Sequence, residues 1–197
     1  MSMKNKFKKK VFSPGRFFTD IGFLIWHSPG IIGAFKDKHI GKAFIEKIMA
    51  VTTAVNGCVY CSWFHAKQAV DSGISEDEIK NMMSLQFQAD ADEYELMALL
   101  YAQHYAETDR HPDPEMTKKL FDHYGKKTAK HIILVIRIIF FGNLFGNTWD
   151  AVISRLKGKP AKGSNVLFEL LFFLLTFIFM FPTMLVMKKD KEKSRMV

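Results

Sequence analysis

The run from Cys58 to His65 (CVYCSWFH) contains the residues of this chain that are best suited to chemistry. Cys58 and Cys61 are the only two cysteines and form one C-x-x-C motif, which is typical of a redox pair rather than of a structural disulfide framework. His65 follows Cys61 by four residues, so on a helix the two side chains share one face. The spacing therefore places a titratable base beside a thiol.

A working cysteine must react as the thiolate, and three features of the sequence favour that form. The C-x-x-C motif begins a predicted helix, whose N-terminal amides stabilise an anion. His65 can accept the proton of Cys61, and Glu46 lies twelve residues before Cys58, on the preceding helix. An antiparallel hairpin would bring Glu46 back to orient the imidazole, in the arrangement of nucleophile, base and orienting group.

Each of these residues alone has a simpler interpretation. A C-x-x-C pair can be half of a zinc site, but the chain has no second pair, so we predict no metal. A single histidine on an apolar helix is more often a core residue, and a single glutamate is more often exposed. The combination at both spacings favours a redox site made of Cys58, Cys61, His65 and Glu46.

The elements that must position these residues are predicted to be helices throughout. No alternating strand pattern appears between turn signals, so the fold class is all-α, which also argues against a thioredoxin fold. Helix ends are marked by Gly57 and Gly73 as C-terminal stops and by Ser75, Asp92 and Asp113 as N-caps.

The apolar segments of the chain define its predicted organisation. Residues 1–16 are interpreted as a solvated basic arm and residues 17–160 as the helical domain, in which Phe17–Phe35 forms two short helices. Thr128 is expected to open a long core helix that reaches Leu156. Residues 161–197 hold a linker, a hydrophobic segment at 166–187 and a basic tail.

The segment Val166–Met187 has 22 residues and a single charge, Glu169. As a helix it would be roughly 33 Å long, enough for a hydrocarbon core of about 30 Å. We therefore predict a membrane helix, the alternative being a buried helix at a subunit interface. Both flanks are basic, so a re-entrant or interfacial anchor stays open; we expect the catalytic domain on the cytoplasmic side.

The formal charge of +8 indicates which partners to expect. Fourteen of the 28 basic residues lie in three segments, 1–10, 155–162 and 188–197, which hold only two of the 20 acidic residues. Basic segments beside apolar ones favour anionic lipid headgroups. Nucleic acid is the rival, but the chain has no nucleic-acid-binding motif, so we predict no such partner.

The spacing of Glu46, Cys58, Cys61 and His65 resembles the signature of the alkylhydroperoxidase D-like (AhpD-like, or carboxymuconolactone decarboxylase-like) family. Other segments are also similar to that family: residues 27–29, 54–58, 72–79 and 138–153, the last with Asn143 and Asn147. Two features depart from it. Tyr60 stands where well-studied peroxidases of the family have a histidine, and the segment at 166–187 is not part of the usual fold.

The resemblance implies an AhpD-like helical bundle that is an obligate homo-oligomer and acts as a thiol peroxidase. By analogy, Cys61 attacks the hydroperoxide, Cys58 resolves the sulfenic acid as a disulfide, and His65 and Glu46 form the proton relay. No bound cofactor is implied; an external dithiol, either a protein or a lipoamide-like thiol, would reduce the pair.

Three functions are compatible with these features. The first is a membrane-tethered peroxidase that reduces organic or lipid hydroperoxides. The second is a dithiol–disulfide oxidoreductase with little peroxide activity, which Tyr60 favours. The third is a non-catalytic membrane-bound assembly module.

Overall fold

The computed structural model describes residues 7–89, 91–162 and 164–194. These residues form eight helices and no strand, which confirms the all-α prediction. The helices are α1 (Pro14–Trp26), α2 (Ser28–Phe35), α3 (Lys42–Asn56), α4 (Val59–Asp71), α5 (Glu76–Met83), α6 (Glu93–Glu107), α7 (Pro114–Leu156) and α8 (Val166–Ser194).

Helix α3 lies at the centre of the domain and packs against α4, α5, α6 and α7. Its apolar residues Ile48 and Val51 are fully buried, as is Leu99 on α6. A surface helix usually has a single apolar stripe. Because α3 has neighbours on several sides, apolar residues occupy more of its circumference. The site helix α4 is therefore supported by the most buried element of the fold.

The predicted helix ends are confirmed by the backbone. Gly57 ends α3 in the left-handed conformation, with φ 69°, which residues with a side chain resist. The side chains of Ser75 and Asp92 accept hydrogen bonds from the first-turn amides of α5 and α6, and Asp113 does the same for α7 before Pro114. Asp113 and Pro114 thus use the expected cap-then-proline order.

Helix α7 combines two helices that the sequence predicted separately. It starts at Pro114, after the predicted cap Asp113, and Gly125 interrupts it with the non-helical angles φ 72° and ψ 165°. This kink lies three residues before Thr128, where the long core helix was expected to open. Its later apolar run is core, as predicted, with Ile132 and Ile136 fully buried.

The N-terminal arm is not solvated over the part that the structure describes. Phe12 is fully buried, and its backbone N–H donates to the hydroxyl of Thr148 at 3.0 Å. Lys9 forms an ion pair with Asp150 at 2.7 Å. The arm was expected to be solvated because its lysines dominate the pattern, whereas a single buried phenylalanine fixes it to α7. Residues 1–6 lie outside the described residues.

Helix α8 runs along the domain beside α7 and contacts the start of α4. Both α7 and α8 are long and apolar enough to span a membrane, but 67% of the apolar window of α7 is buried and only 11% of that of α8. The high burial of α7 is typical of a core helix. The low burial of α8 leaves it as the C-terminal candidate for a membrane span.

The one acidic residue in the apolar part of α8 is buried and paired. Glu169 is 1% exposed, and its carboxylate accepts a hydrogen bond from Arg155 Nε at 2.6 Å. Arg155 also donates to Ser164 at 2.7 Å, so one guanidinium holds the turn between α7 and α8. A charge that would otherwise hinder burial in an apolar setting is therefore neutralised within the protein.

We expect Arg155→Ala to lower the free energy of unfolding by roughly 2–4 kcal/mol, because it leaves a buried carboxylate without its partner. The double variant Arg155→Ala/Glu169→Gln should recover part of this loss. Chemical unfolding in detergent measures both. The control is Glu115→Gln, which breaks the exposed pair of Glu115 with Lys119 and should cost less than about 1 kcal/mol. Equal losses of unfolding free energy in Arg155→Ala and Glu115→Gln would contradict a stabilising role of the buried pair of Arg155 with Glu169.

Candidate redox site

The C-x-x-C motif lies at the N-terminus of α4, where the sequence predicted it. Cys58 is the N-cap, and its sulfur accepts a hydrogen bond from the backbone N–H of Cys61 at 3.2 Å. The two cysteines form a disulfide, with their Cα atoms 5.4 Å apart. The first-turn amides of a helix favour negative charge at the cap, which is the position that Cys58 occupies.

Glu46 and His65 are in direct contact. His65 Nδ1 lies 2.8 Å from a carboxylate oxygen of Glu46, and the two side chains are only 12% and 10% exposed. The turn at Gly57 reverses the chain, so α3 and α4 lie side by side and bring together residues 19 positions apart. With Nδ1–H donating to Glu46, Nε2 is the nitrogen that remains to exchange a proton.

The two cysteines differ in their access to solvent. Cys58 is fully buried, whereas Cys61 is partly exposed. Cys61 lies one turn before His65 on α4, and its sulfur is 3.4 Å from the carbonyl oxygen of Gly142. The more exposed of the two cysteines is thus the one that shares a helical face with His65.

The backbone of α7 forms the wall behind the disulfide. A Cβ at Gly146 would lie 2.6 Å from the Cys58 sulfur and 3.2 Å from the Tyr60 ring, whereas one at Gly142 would meet nothing closer than 4.0 Å. Only glycine allows this approach. Sequence reasoning missed Gly146; the signal was the G-x-x-x-G spacing of Gly142 and Gly146 within an apolar helix.

Buried amides fix the turn before Cys58 against the same part of α7. Asn143 accepts a hydrogen bond from Asn56 at 3.1 Å and donates to the hydroxyl of Thr53 at 2.9 Å. Asn147 donates to the backbone oxygen of Asn56 at 2.9 Å. Bonds of this kind are strongly directional when buried, so they set the position of the C-x-x-C motif relative to α7.

Tyr60 lies between the two cysteines in the sequence, and its hydroxyl is bound to α7. Its hydroxyl donates to Asp150 at 2.9 Å, and Asp150 is held by Lys9. Burial, together with the negative charge of Asp150, raises the pKa of the Tyr60 phenol far above its ordinary value. Tyr60 is therefore a neutral donor at physiological pH and cannot serve as a base. Sequence reasoning missed both Asp150 and Lys9.

Helix α8 covers the other side of the motif. Met180 belongs to the same buried apolar cluster as Cys58, Tyr60 and Trp149, and the ring of Trp149 stacks on that of Phe173 at 4.1 Å. No local pattern in the sequence connects the predicted membrane helix with the redox motif. The structure shows that one face of α8 shields Cys58 from water.

An open groove of about 500 Å³ lies on the adjacent face of α4. Its lining is mainly apolar and consists of Thr53, Ala54, Gly57, Val59, Ser62, Trp63, Ala66 and Met83. Within the part of the chain that the structure describes, no group of three or more histidine, cysteine, aspartate or glutamate residues is placed to hold a metal ion.

The helical fold and the cysteine pair define a class: all-α proteins with a C-x-x-C motif at a helix N-terminus. Residues 32–104 match the model of the Carboxymuconolactone decarboxylase family, and they include Glu46, both cysteines and His65. This part of the chain is therefore similar to the AhpD-like family, which the sequence pattern also resembles. A comparison with curated proteins found no match for the chain.

We expect Gly146→Ala to destabilise the oxidised protein by roughly 1–3 kcal/mol, because the new methyl group meets a sulfur that the disulfide holds in place. Gly142→Ala is the matched control, one turn away on the same helix. It should be neutral or stabilise by up to about 1 kcal/mol, since alanine favours the helix. Denaturant unfolding of both oxidised variants measures the difference. Equal stabilities would refute the close contact between α7 and the disulfide.

Proposed function

We propose that this protein is a membrane-tethered thiol peroxidase that reduces organic or lipid hydroperoxides through Cys61 and Cys58. The observation that carries the proposal is the contact of Glu46 with His65, one helical turn from the partly exposed Cys61. The family match and the cysteine pair support a redox role in general. The specific peroxidase chemistry rests on the arrangement of these four residues.

In the proposed first step, His65 takes the proton of the Cys61 thiol, and Glu46 stabilises the resulting imidazolium. The thiolate attacks the terminal oxygen of the hydroperoxide, an S–O bond forms and the O–O bond breaks. The departing alkoxide receives the proton from His65 and leaves as the alcohol. Cys61 is then a sulfenic acid, oxidised by two electrons.

In the second step Cys58 attacks the Cys61 sulfur, and hydroxide leaves and is protonated to water. Its position at the helix N-terminus favours the Cys58 thiolate and so supports its role as the resolving cysteine. The product is the disulfide. We propose that an external dithiol, a protein or a lipoamide-like thiol, attacks the accessible Cys61 sulfur and regenerates the reduced pair.

The tether is proposed from α8, whose outer face is apolar along most of its length. Leu174, Leu175, Ile178 and Phe179 are each about 70% exposed, which is unusual for the surface of a water-soluble domain. Attachment to a bilayer would place Cys61 near apolar hydroperoxides. We propose in addition that the catalytic domain lies on the cytoplasmic side and that the protein forms homo-oligomers, as the family resemblance implies.

A dithiol–disulfide oxidoreductase is the second candidate. It is favoured by Tyr60, which is a neutral donor bound to Asp150 and supplies no second base beside the cysteines. A disulfide whose buried sulfur leaves as a stabilised thiolate also suits exchange with another thiol. This candidate predicts a trapped mixed disulfide with a thiol partner in Cys58→Ser and no faster reaction with peroxide than that of a free thiol.

The peroxidase proposal is tested by the rate at which cumene hydroperoxide oxidises the reduced protein in detergent. Cys61→Ser should abolish the reaction, and Cys58→Ser should stop at the sulfenic acid, which dimedone traps. We expect His65→Ala to slow the reaction by roughly 10²-fold or more, the usual contribution of a general base. Glu46→Gln should have a smaller effect in the same direction.

The matched controls for this test are His111→Ala and Glu76→Gln, which change exposed residues outside the site. Both should react like the wild-type protein. The proposal fails if Cys61→Ser consumes peroxide at the wild-type rate, or if wild type reacts no faster than a free thiol. In the second case the oxidoreductase becomes the better description.

The tether is tested by flotation of the full chain with liposomes, followed by extraction with alkaline carbonate. We expect the wild type to remain with the lipid. Leu174→Asp/Ile178→Asp should release it, because an acid held at the depth of the lipid hydrocarbon costs up to roughly 3 kcal/mol. The control Val70→Asp changes an exposed apolar residue on α4 and should stay bound. Complete release of the wild type by carbonate would contradict stable insertion of α8 into the bilayer.

A further inference from the structure

The outer side of α1 and α2 is an apolar stripe where a water-soluble protein would have charged residues. Its large members are Phe18, Ile25, Trp26, Ile32 and Phe35, which are 68%, 70%, 83%, 56% and 50% exposed. They recur every three to four positions along with the exposed residues Gly15, Thr19, Gly22 and Pro29. That spacing corresponds to one continuous face of a helix.

Helices α1 and α2 are joined without a loop and form one bent helical segment, so the stripe is continuous. The helical hydrogen bonds pass through the junction: His27 N–H donates to Phe23 at 2.9 Å, and Ile31 N–H donates to His27 at 2.9 Å. The stripe therefore extends from the first turn of α1 to the last residue of α2.

The charges of α1 point inward, the reverse of the usual arrangement. Asp20 is 5% exposed and forms an ion pair with Arg110. Arg16 donates two hydrogen bonds to Asp109, at 3.1 and 2.8 Å. A surface helix normally has its charges outside and its apolar residues inside. The inversion shows that the outer face of α1 is suited to a surrounding that is not water.

Two neighbours of the stripe indicate what that surrounding is. The first is α8, the candidate membrane span: the Phe17 ring lies 5.6 Å from both Phe168 and Phe172, so the first turns of α1 and α8 are adjacent. Leu167, on the same turn of α8, is 77% exposed. The apolar outer surfaces of the two helices therefore begin side by side.

The second neighbour is a group of exposed lysines directly after α2: Lys36, Lys38 and Lys42. No carboxylate between Pro14 and Lys42 is exposed, because Asp20 is buried and the Asp37 side chain, 4% exposed, is bound to His131. An apolar stripe bordered by cations matches an anionic bilayer surface. Trp26 adds the aromatic side chain that favours the membrane interface.

We propose that the α1–α2 stripe is a second membrane contact, which lies in the headgroup region of the bilayer that holds α8. Attachment by α8 alone would leave the domain free to rotate about one helix. Attachment by two adjacent surfaces fixes its orientation to the membrane, and with it the direction in which Cys61 faces. The inference rests on the proposed tether, but its own residues are separate from α8.

The test uses the full chain with Cys58→Ser and Cys61→Ser, so that one introduced cysteine takes a bimane fluorophore. The stripe variants are Ile25→Cys and Ile32→Cys, Leu175→Cys reports on α8, and Lys119→Cys is the exposed control on the first part of α7. The protein is reconstituted in equal parts of phosphatidylcholine and phosphatidylserine. Quenching by nitroxide-labelled phosphatidylcholine shows which sites contact lipid.

We expect quenching and a blue shift at positions 25, 32 and 175, and neither at position 119. Quenching at 175 alone would overturn the stripe and leave the tether intact. Quenching at positions 25 and 32 without quenching at 175 would support lipid contact by the stripe and reject lipid contact by α8. No quenching at 25, 32 and 175 would reject both proposals. A blue shift at 25 and 32 that depends on protein concentration, without lipid quenching, would assign the stripe to a second copy of the chain.

A second measurement avoids the cysteine substitutions. In the otherwise native chain, brominated phosphatidylcholine should quench the emission of Trp26, which is isolated as the difference between wild type and Trp26→Phe. An identical degree of quenching in the two proteins would contradict a membrane contact at this position.

Discussion

The contact between the turn that precedes Cys58 and the middle of α7 is the constraint on which the site depends. The hydrogen bonds of Asn56 with Asn143 and Asn147 hold this turn in place, and Gly146 provides the space for the Cys58 sulfur. The α7 backbone approaches both sulfurs, and α8 helps to bury Cys58, so of the two cysteines only Cys61 stays partly exposed. The difference in exposure between the two cysteines thus follows from helix packing.

The same packing connects the redox motif with the apolar surface of the protein. Helix α8 lies against α7, and its Met180 helps to bury Cys58 and Tyr60. Its opposite side is exposed and apolar. One helix therefore contributes both to the shielding of the disulfide and to the proposed lipid contact.

The placement of charges is consistent with this arrangement. Glu169 on α8 and Asp20 on α1 are both buried and paired with arginines from elsewhere in the domain, whereas large apolar side chains on the same helices are exposed. Burying an ion pair is costly unless both partners are well bonded. Such pairs on two neighbouring helices leave their exposed faces apolar, which is the feature from which we propose the lipid contacts.

The sequence determined the helical class, the helix caps and the redox motif, because these depend on local signals. Gly57 ends α3 and allows the chain to reverse, and Ser75 and Asp113 satisfy free amides at helix N-termini. Cys58, Cys61 and His65 are related by helical spacing. It also predicted that Glu46 would return to His65, since a tight hairpin leaves few alternatives. Only the tertiary structure decided that Phe12 anchors the N-terminal arm, that Gly146 contacts the disulfide, and that Asp150 binds Tyr60. These contacts join residues far apart in the chain, and no local pattern encodes which distant surfaces will meet.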